Sequence, residues 1–248
     1  MKVSAALGAG LVSLTLAFPG RAQNLPGQRA APDDLDAARV ARGFAALNRP
    51  TGIAEVGVGW LTLPGASVCA GGSCRRGDTS FELDAWELFR TNRRFAFGAG
   101  FLLGLIPTTD AQGANPMGIV HDHSRSYLTL EGTVRHYPYI GESVELWWGI
   151  TGGIAVVNDR FSVGNSNMNL ALVGGSASTI RSEGASIGAA GGAVFWLANH
   201  WSLGTVFRYG NWFLPKVAAK DPLLEEASVT GRNTMFSLGI SLAYRIPL

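Results

Sequence analysis

The stretch that decides the fold is "MFSLGISLAYRIPL", Met235 to Leu248. Phe236, Leu238, Ile240, Leu242, Tyr244, Ile246 and Leu248 alternate with Ser237, Gly239, Ser241, Ala243, Arg245 and Pro247. Period-two alternation is the signature of a β-strand with two unlike faces. The second face is Ser, Gly and Ala, not the Lys and Glu of a strand turned to water. The surroundings of that small-residue face must come from the rest of the chain.

The opening "MKVSAALGAGLVSLTLAFPGRAQ" has an early Lys, an apolar stretch from Ala5 to Phe18 and a small-x-small site at Gly20-Arg21-Ala22. This reads as a secretory signal peptide over residues 1–22, the apolar run being shorter than the roughly 20 residues of a spanning helix. An uncleaved anchor is the alternative. Residues 23–53 then form a polar periplasmic segment with Pro26, Pro32 and Pro50, in which Asp33 to Asn48 has the spacing of a short helix. A flexible tether fits equally, since isolated helices of that length are marginal in water.

Composition argues against an ordinary soluble domain. Only 15% of residues are charged and 47% are apolar, with 33 glycines and seven tryptophans. So apolar a chain would expose sticky surface in water. In lipid, strands must close into a barrel to satisfy their backbone. The net charge of +2, with no Lys/Arg run, gives no footprint for nucleic acid. Cys69 and Cys74 in "CAGGSC" read as one disulfide closing a small loop of an exported protein, reactive thiols being the alternative.

From residue 54 to 248 the pattern predicts eight strands: 54–63, 80–91, 95–105, 126–137, 144–157, 184–197, 201–213 and one from Thr234. The connections run long, short, long, short, long, short, long. Short turns at one end and long loops at the other are the organisation of an outer-membrane barrel. The second strand is irregular, because it places Trp86 and Leu88 with Glu82 and Asp84. A bulge or a displaced boundary would account for it.

Two barrels of opposite polarity share this alternation. A secreted lipocalin-like carrier would hold the apolar face inside around a ligand, and "GVGW" (Gly57 to Trp60) is similar to that family's first strand. A membrane barrel turns the apolar face outward. Gly98, Gly100, Gly149, Gly153, Gly188, Gly204 and Gly239 on the second face are poor residues for a solvated strand. They suit the lumen of an eight-stranded barrel, which has room only for side chains. The sequence therefore predicts an all-β, eight-stranded, antiparallel up-and-down transmembrane β-barrel. Tyr137, Tyr139, Trp147, Trp148, Trp196 and Trp201 near the short turns, and Phe81, Phe161, Trp212 and Phe213 near the long loops, would form interfacial belts.

The signal peptide, the strands and the loop pattern resemble the OmpA/OmpX-type small outer-membrane β-barrel superfamily. The resemblance covers about 54–248 and rests on pattern, not on a diagnostic string. Tyr244, Ile246 and Leu248 are similar to that family's C-terminal assembly signal, with Leu in place of Phe or Trp at the end and Pro247 within it. It implies outer-membrane lipid and, during insertion, the barrel assembly machinery as partners, with a monomeric barrel in the cell outer membrane.

Candidate chemistry is sparse. Glu55, Arg94, Glu131, Arg135, Glu145, Arg208 and Arg245 fall on the presumed lumen face. Glu131 and Arg208 count to similar mid-depth, Arg135 and Glu145 lie near one turn, and Glu55 and Arg245 near the seam of first and last strands. A salt-bridge network plugging the lumen is the plain reading, and a gated ion or proton path the alternative. "HDHS" (His121 to Ser124) reads as exposed loop polarity, since two His and an Asp need further ligands to hold a metal. "NHWSLG" contains a His-x-Ser similar to that of outer-membrane lipid A deacylases, but His200 falls in a short periplasmic turn, away from the outer leaflet. "GAGFLLG" (Gly98 to Gly104) misses the dinucleotide fingerprint by one residue and reads as barrel packing. No catalytic residue, metal or cofactor is expected. The expected role is non-enzymatic, envelope integrity or surface interaction through the outer loops; a lipid-modifying enzyme is the rival, and Ser, His and Asp/Glu clustered at one rim would favour it.

Overall fold

The structure is a computed structural model that describes residues 50–248 apart from 71–72, 106, 111–112, 115–119, 163–176, 198–199 and 222–224. The signal peptide, the helix expected over Asp33 to Asn48 and most of the 23–53 segment lie outside the described residues. In chain order the strands are β1 (Thr51–Thr62), β2 (Ser67–Ala70), β3 (Ser73–Arg76), β4 (Thr79–Arg90), β5 (Phe95–Gly104), β6 (Thr108–Thr109), β7 (Gly113–Ala114), β8 (Val120–Ile140), β9 (Val144–Ser162), β10 (Ala177–Trp196), β11 (Trp201–Phe213) and β12 (Arg232–Pro247). The first strand begins at Thr51, three residues before the expected boundary, and all its twelve residues pair with β12.

Eight of these strands, β1, β4, β5, β8, β9, β10, β11 and β12, form a closed antiparallel ring, β5 pairing β8 and β1 pairing β12 to complete it. Closure explains the last strand. With β1 on one side and β11 on the other, β12 has no free edge. The His200 carbonyl accepts from the Arg245 N–H at 2.8 Å, and the Pro50 carbonyl from the Leu248 N–H at 3.2 Å.

The polarity is that of a membrane barrel. Val56, Trp60, Ile150, Ile154, Leu238 and Ile240 are all more than half exposed, whereas Glu55, Glu131, Arg135 and Ser237 are buried. Trp60 of "GVGW" is 62% exposed and faces outward, which removes the lipocalin reading. In the lumen many glycines are sterically required. A methyl at Gly153 would collide with the Leu130 carbonyl, and one at Gly98 with that of Glu87. Five aromatics expected in the belts lie inside instead: Tyr137, Trp147, Phe161 and Trp212 are each less than 5% exposed, and Trp196 is half-buried beneath the Arg245 guanidinium. They occupy the inward parity of their strands and fill the lumen. Tyr139, Trp148, Trp201 and Phe213 face outward.

β8, β9 and β10 extend beyond the apolar band at the long-loop end. On that extension outward positions turn polar (Asp122 and Ser124; Asn158 and Arg160; Arg181 and Glu183), which hid it in the sequence. The β2–β3 hairpin folds over this mouth, closed by the Cys69–Cys74 disulfide. The 214–231 connection meets it, Val68 bridging Val229 and the Cys69 N–H donating to the Ser228 carbonyl at 3.0 Å. Both segments turn back into the barrel at glycines with positive φ, Gly77 at 83° and Gly231 at 70°, where L side chains are strained.

Candidate functional site

The inward parity of the strands stacks side chains in layers along the lumen. Nearest the short turns, Glu145 Oε2 accepts from Arg90 Nη1 at 2.9 Å and from Arg245 Nη2 at 2.7 Å. Each guanidinium also lies over a ring, Arg90 4.0 Å from Tyr137 and Arg245 3.6 Å from Trp196. One layer up, Arg135 donates to both oxygens of Glu55 at 2.8 and 3.2 Å. Its plane is 4.0 Å from the Trp147 ring and 5.7 Å from Trp86. Next, Arg208 meets Asp84 at 3.1 Å and Glu82 at 3.5 Å, and the Ser237 hydroxyl donates to Glu82. Glu131 accepts from Ser186 Oγ at 2.6 Å.

The structure thus brings six of the seven expected charges, Glu55, Glu131, Arg135, Glu145, Arg208 and Arg245, into the lumen, with partners other than those depth suggested. Arg135 pairs with Glu55 across the lumen and not with Glu145. Arg208 pairs with the β4 carboxylates and not with Glu131. Arg94 is a correction. It is exposed in the turn before β5, where Asn92 Oδ1 accepts from its backbone N–H at 2.8 Å. Its parity is inward, but it precedes the first lumen layer. Glu82, Asp84 and Arg90 were missed. β4 carries no bulge: Glu82, Asp84, Trp86, Leu88 and Arg90 all face the lumen, where Arg208 meets Glu82 and Asp84, Glu145 meets Arg90, and Leu88 packs with Ile53 and Ala243. The mixed face itself was the signal.

Above an apolar plug that includes Leu61, Leu102, Trp212 and Met235, a second polar cluster closes the mouth. "HDHS" belongs to β8 and not to an exposed loop; His121 and His123 are buried. His123 Nδ1 lies 2.8 Å from Asp110 Oδ2 and Nε2 2.8 Å from Asp159 Oδ1. Its ring stacks on Phe161 at 4.4 Å. Arg125 donates to Asp78 at 2.8 Å, to Asp110 at 2.6 Å and to Ser228 Oγ at 2.5 Å. Tyr127 donates to Asp78, and the Ser228 N–H to Asp159 at 2.9 Å. These bonds join the hairpin side of the mouth, the β6 end, β8, β9 and the 214–231 connection.

Burial pushes the His123 imidazole toward its neutral form, but the hydrogen bonds to Asp110 and Asp159 outweigh it and raise its pKa above the ordinary value. Burial opposes the charge of Asp110 as well, yet His123 and Arg125 hold its pKa below the usual carboxylate range. In its protonated form the imidazole donates from both nitrogens to carboxylates.

Ser228, His123 and Asp159 do lie together at one rim, the arrangement that would favour an enzyme. Their order is wrong for nucleophilic catalysis. The carboxylate stands between the other two, accepting from the Ser228 hydroxyl at 2.5 Å, and His123 has no nitrogen left for the serine. At the opposite end His200 Nδ1 contacts the Arg245 carbonyl at 3.1 Å, and Ser202 points into the lumen with 1% exposure. Among the described residues, no group of three or more His, Cys, Asp or Glu has the geometry of a metal site.

No protein-family model matches the chain, and no curated relative does. Solved structures match along most of the chain. A major outer membrane protein from Thermus thermophilus superposes with a TM-score of 0.53 at 14% identity, over 79% of this chain and 99% of that one. Neisserial surface protein A gives 0.47 at 10% identity, covering 78% and 96%. Ail, the attachment invasion locus protein of Yersinia pestis, gives 0.43 at 11%, covering 80% and 99%. The fold is that of the small outer-membrane β-barrels.

Proposed function

We propose that the chain is a non-enzymatic, non-conducting barrel of the outer membrane that contributes to envelope integrity and surface interaction through its outer connections. One observation carries this reading: the lumen is filled from the Glu145 layer to the Arg208 layer by ion-paired side chains, with the plug and the polar clasp above them. Eight strands leave room for side chains and not for a channel. The outer end carries the disulfide-closed β2–β3 hairpin, with Arg76 exposed on it and Arg160 exposed on β9. Monomeric insertion by the barrel assembly machinery fits β12, where Ile246 and Leu248 are exposed and Tyr244 packs 4.9 Å from Trp201.

Solute flux tests the reading. Liposomes holding the purified protein are expected to leak a small sugar at the protein-free rate. A rate comparable to that of a porin would contradict it.

A further inference from the structure

The lipid-facing wall is not uniform. Across β5, β8 and β9 the register aligns Ala99, Gly132 and Gly152 on one outward line. The flanking lines are bulky. Phe97, Val134 and Ile150 stand below, and Phe101, Leu130 and Ile154 above, all of them exposed. Along the small-residue line, walled below by Phe97, Val134 and Ile150, lies a groove of about 930 Å³ that continues past Ile187 and Ala189 of β10 to Tyr209 and Asn211 of β11.

The barrel does not require glycine on this floor. A methyl at Gly132 would find its nearest neighbour, the Gly98 carbonyl, at 3.8 Å, and one at Gly152 the Ser186 carbonyl at 3.7 Å, both ordinary contacts. The lumen glycines are the opposite, as Gly98 and Gly153 show. Chain packing accounts for the inward glycines and leaves the outward pair to another cause.

The groove has a direction and a polar head. Asn211 lies ten residues above Trp201. At about 3.3 Å per residue and a tilt of about 40°, that is about 25 Å, the height of the apolar band of such barrels. Asn211 therefore stands at the outer interface. Ala99, four residues above the start of β5, lies about 10 Å above the inner edge by the same measure. The groove descends from the long-loop interface toward the middle of the membrane, the depth of one leaflet. At its head Arg232 Nε donates to Asn211 Oδ1 at 2.9 Å, and the guanidinium lies 5.8 Å from the Phe213 ring. No other described residue engages its two amino groups.

We propose that this groove seats one acyl chain of a phosphate-bearing lipid of the outer leaflet, with Arg232 on the phosphate. The fold puts this wall in lipid, so an acyl chain is the occupant at hand. A chain lying on the small-residue floor against Phe97, Val134 and Ile150 covers more apolar surface than one on a smooth wall. A guanidinium above it supplies charge-assisted hydrogen bonds to a phosphate.

Native mass spectrometry of the full protein tests this, using micelles doped with dioleoyl phosphatidic acid or, as an uncharged control, dioleoylglycerol. The wild type is expected to retain one phosphatidic acid. Gly132→Leu/Gly152→Leu, which fills the floor, is expected to bring retention of both lipids to background while the heat-modifiable gel mobility of the folded barrel is kept. Arg232→Gln is expected to lower phosphatidic acid retention about tenfold or more, as loss of hydrogen bonds to a charged group does, and to leave dioleoylglycerol unchanged. Undiminished retention in the folded double variant would overturn the groove, even if Arg232→Gln released lipid. Unchanged phosphatidic acid retention in Arg232→Gln would overturn the assignment of the phosphate.

Discussion

Replacing Arg135 with methionine is expected to lower the stability of the barrel by about 3–5 kcal/mol, the cost of leaving one partner of a buried ion pair alone. Glu55 is 4% exposed and takes both its hydrogen bonds from this guanidinium. The loss also removes the cation from the Trp147 face 4.0 Å away. The double variant Glu55→Gln/Arg135→Met is expected to recover most of the loss, because no charge is then left without a counter-ion. Urea unfolding in detergent micelles, followed by tryptophan fluorescence and gel mobility, gives both numbers. Equal destabilisation by the single and double variants would mean that volume, and not charge, holds this layer.

The second large effect is expected at the outer mouth, on the alkaline side. His123 has its pKa raised in the folded state, so its contribution is complete below the unfolded value of about 6.5 and is lost as pH rises through the higher folded value. Asp110 has its pKa lowered, so its contribution is complete above about 3.9 and is lost as pH falls through the lower folded value. The clasp is therefore tightest between about pH 4 and 6.5 and loosens above that range. Once neutral, His123 can donate to only one of Asp110 and Asp159, and the other carboxylate loses a bond. Hydrogen exchange at the Cys69 and Ala227 amides, which hold the hairpin and the 214–231 connection, is expected to speed up from pH 6 to pH 9 beyond the intrinsic rate. His123→Phe is expected to abolish that excess. The same excess in the variant would place the titrating group elsewhere.

The architecture was legible because lipid and a crowded lumen demand opposite things of alternate residues. Phe236 to Ile246 against Ser237 to Arg245 states that demand within one strand. The alternation stops being informative where the outside of a strand leaves the membrane. On the β8 extension both faces are polar, so His121, His123 and Arg125 resemble a loop, although they are buried. β4 was obscure for a related reason. A lumen accepts Trp86 and Leu88 beside Glu82 and Asp84 as long as charges meet partners from other strands, and period two gives a residue's face but not the residue across from it. That is why six of the expected lumen charges lie where they should while their pairings differ. Arg94 shows the complementary limit: parity is meaningful only between the first and last lumen layers. The outer clasp joins residues as far apart as Arg125 and Ser228, and no local pattern marks such a contact.

The polarity of the wall is the point on which everything else depends, and spin-label accessibility in bilayers measures it directly. Nitroxides are placed one at a time at the outward sites Ile150 and Ile240 and at the inward neighbours Thr151 and Ser241. Oxygen, which concentrates in lipid, is expected to relax the labels at 150 and 240 strongly, and a water-soluble nickel complex to leave them untouched; the labels at 151 and 241 are expected to be reached by neither. Strong relaxation by the nickel complex at 150 and 240 would contradict a lipid-facing apolar wall.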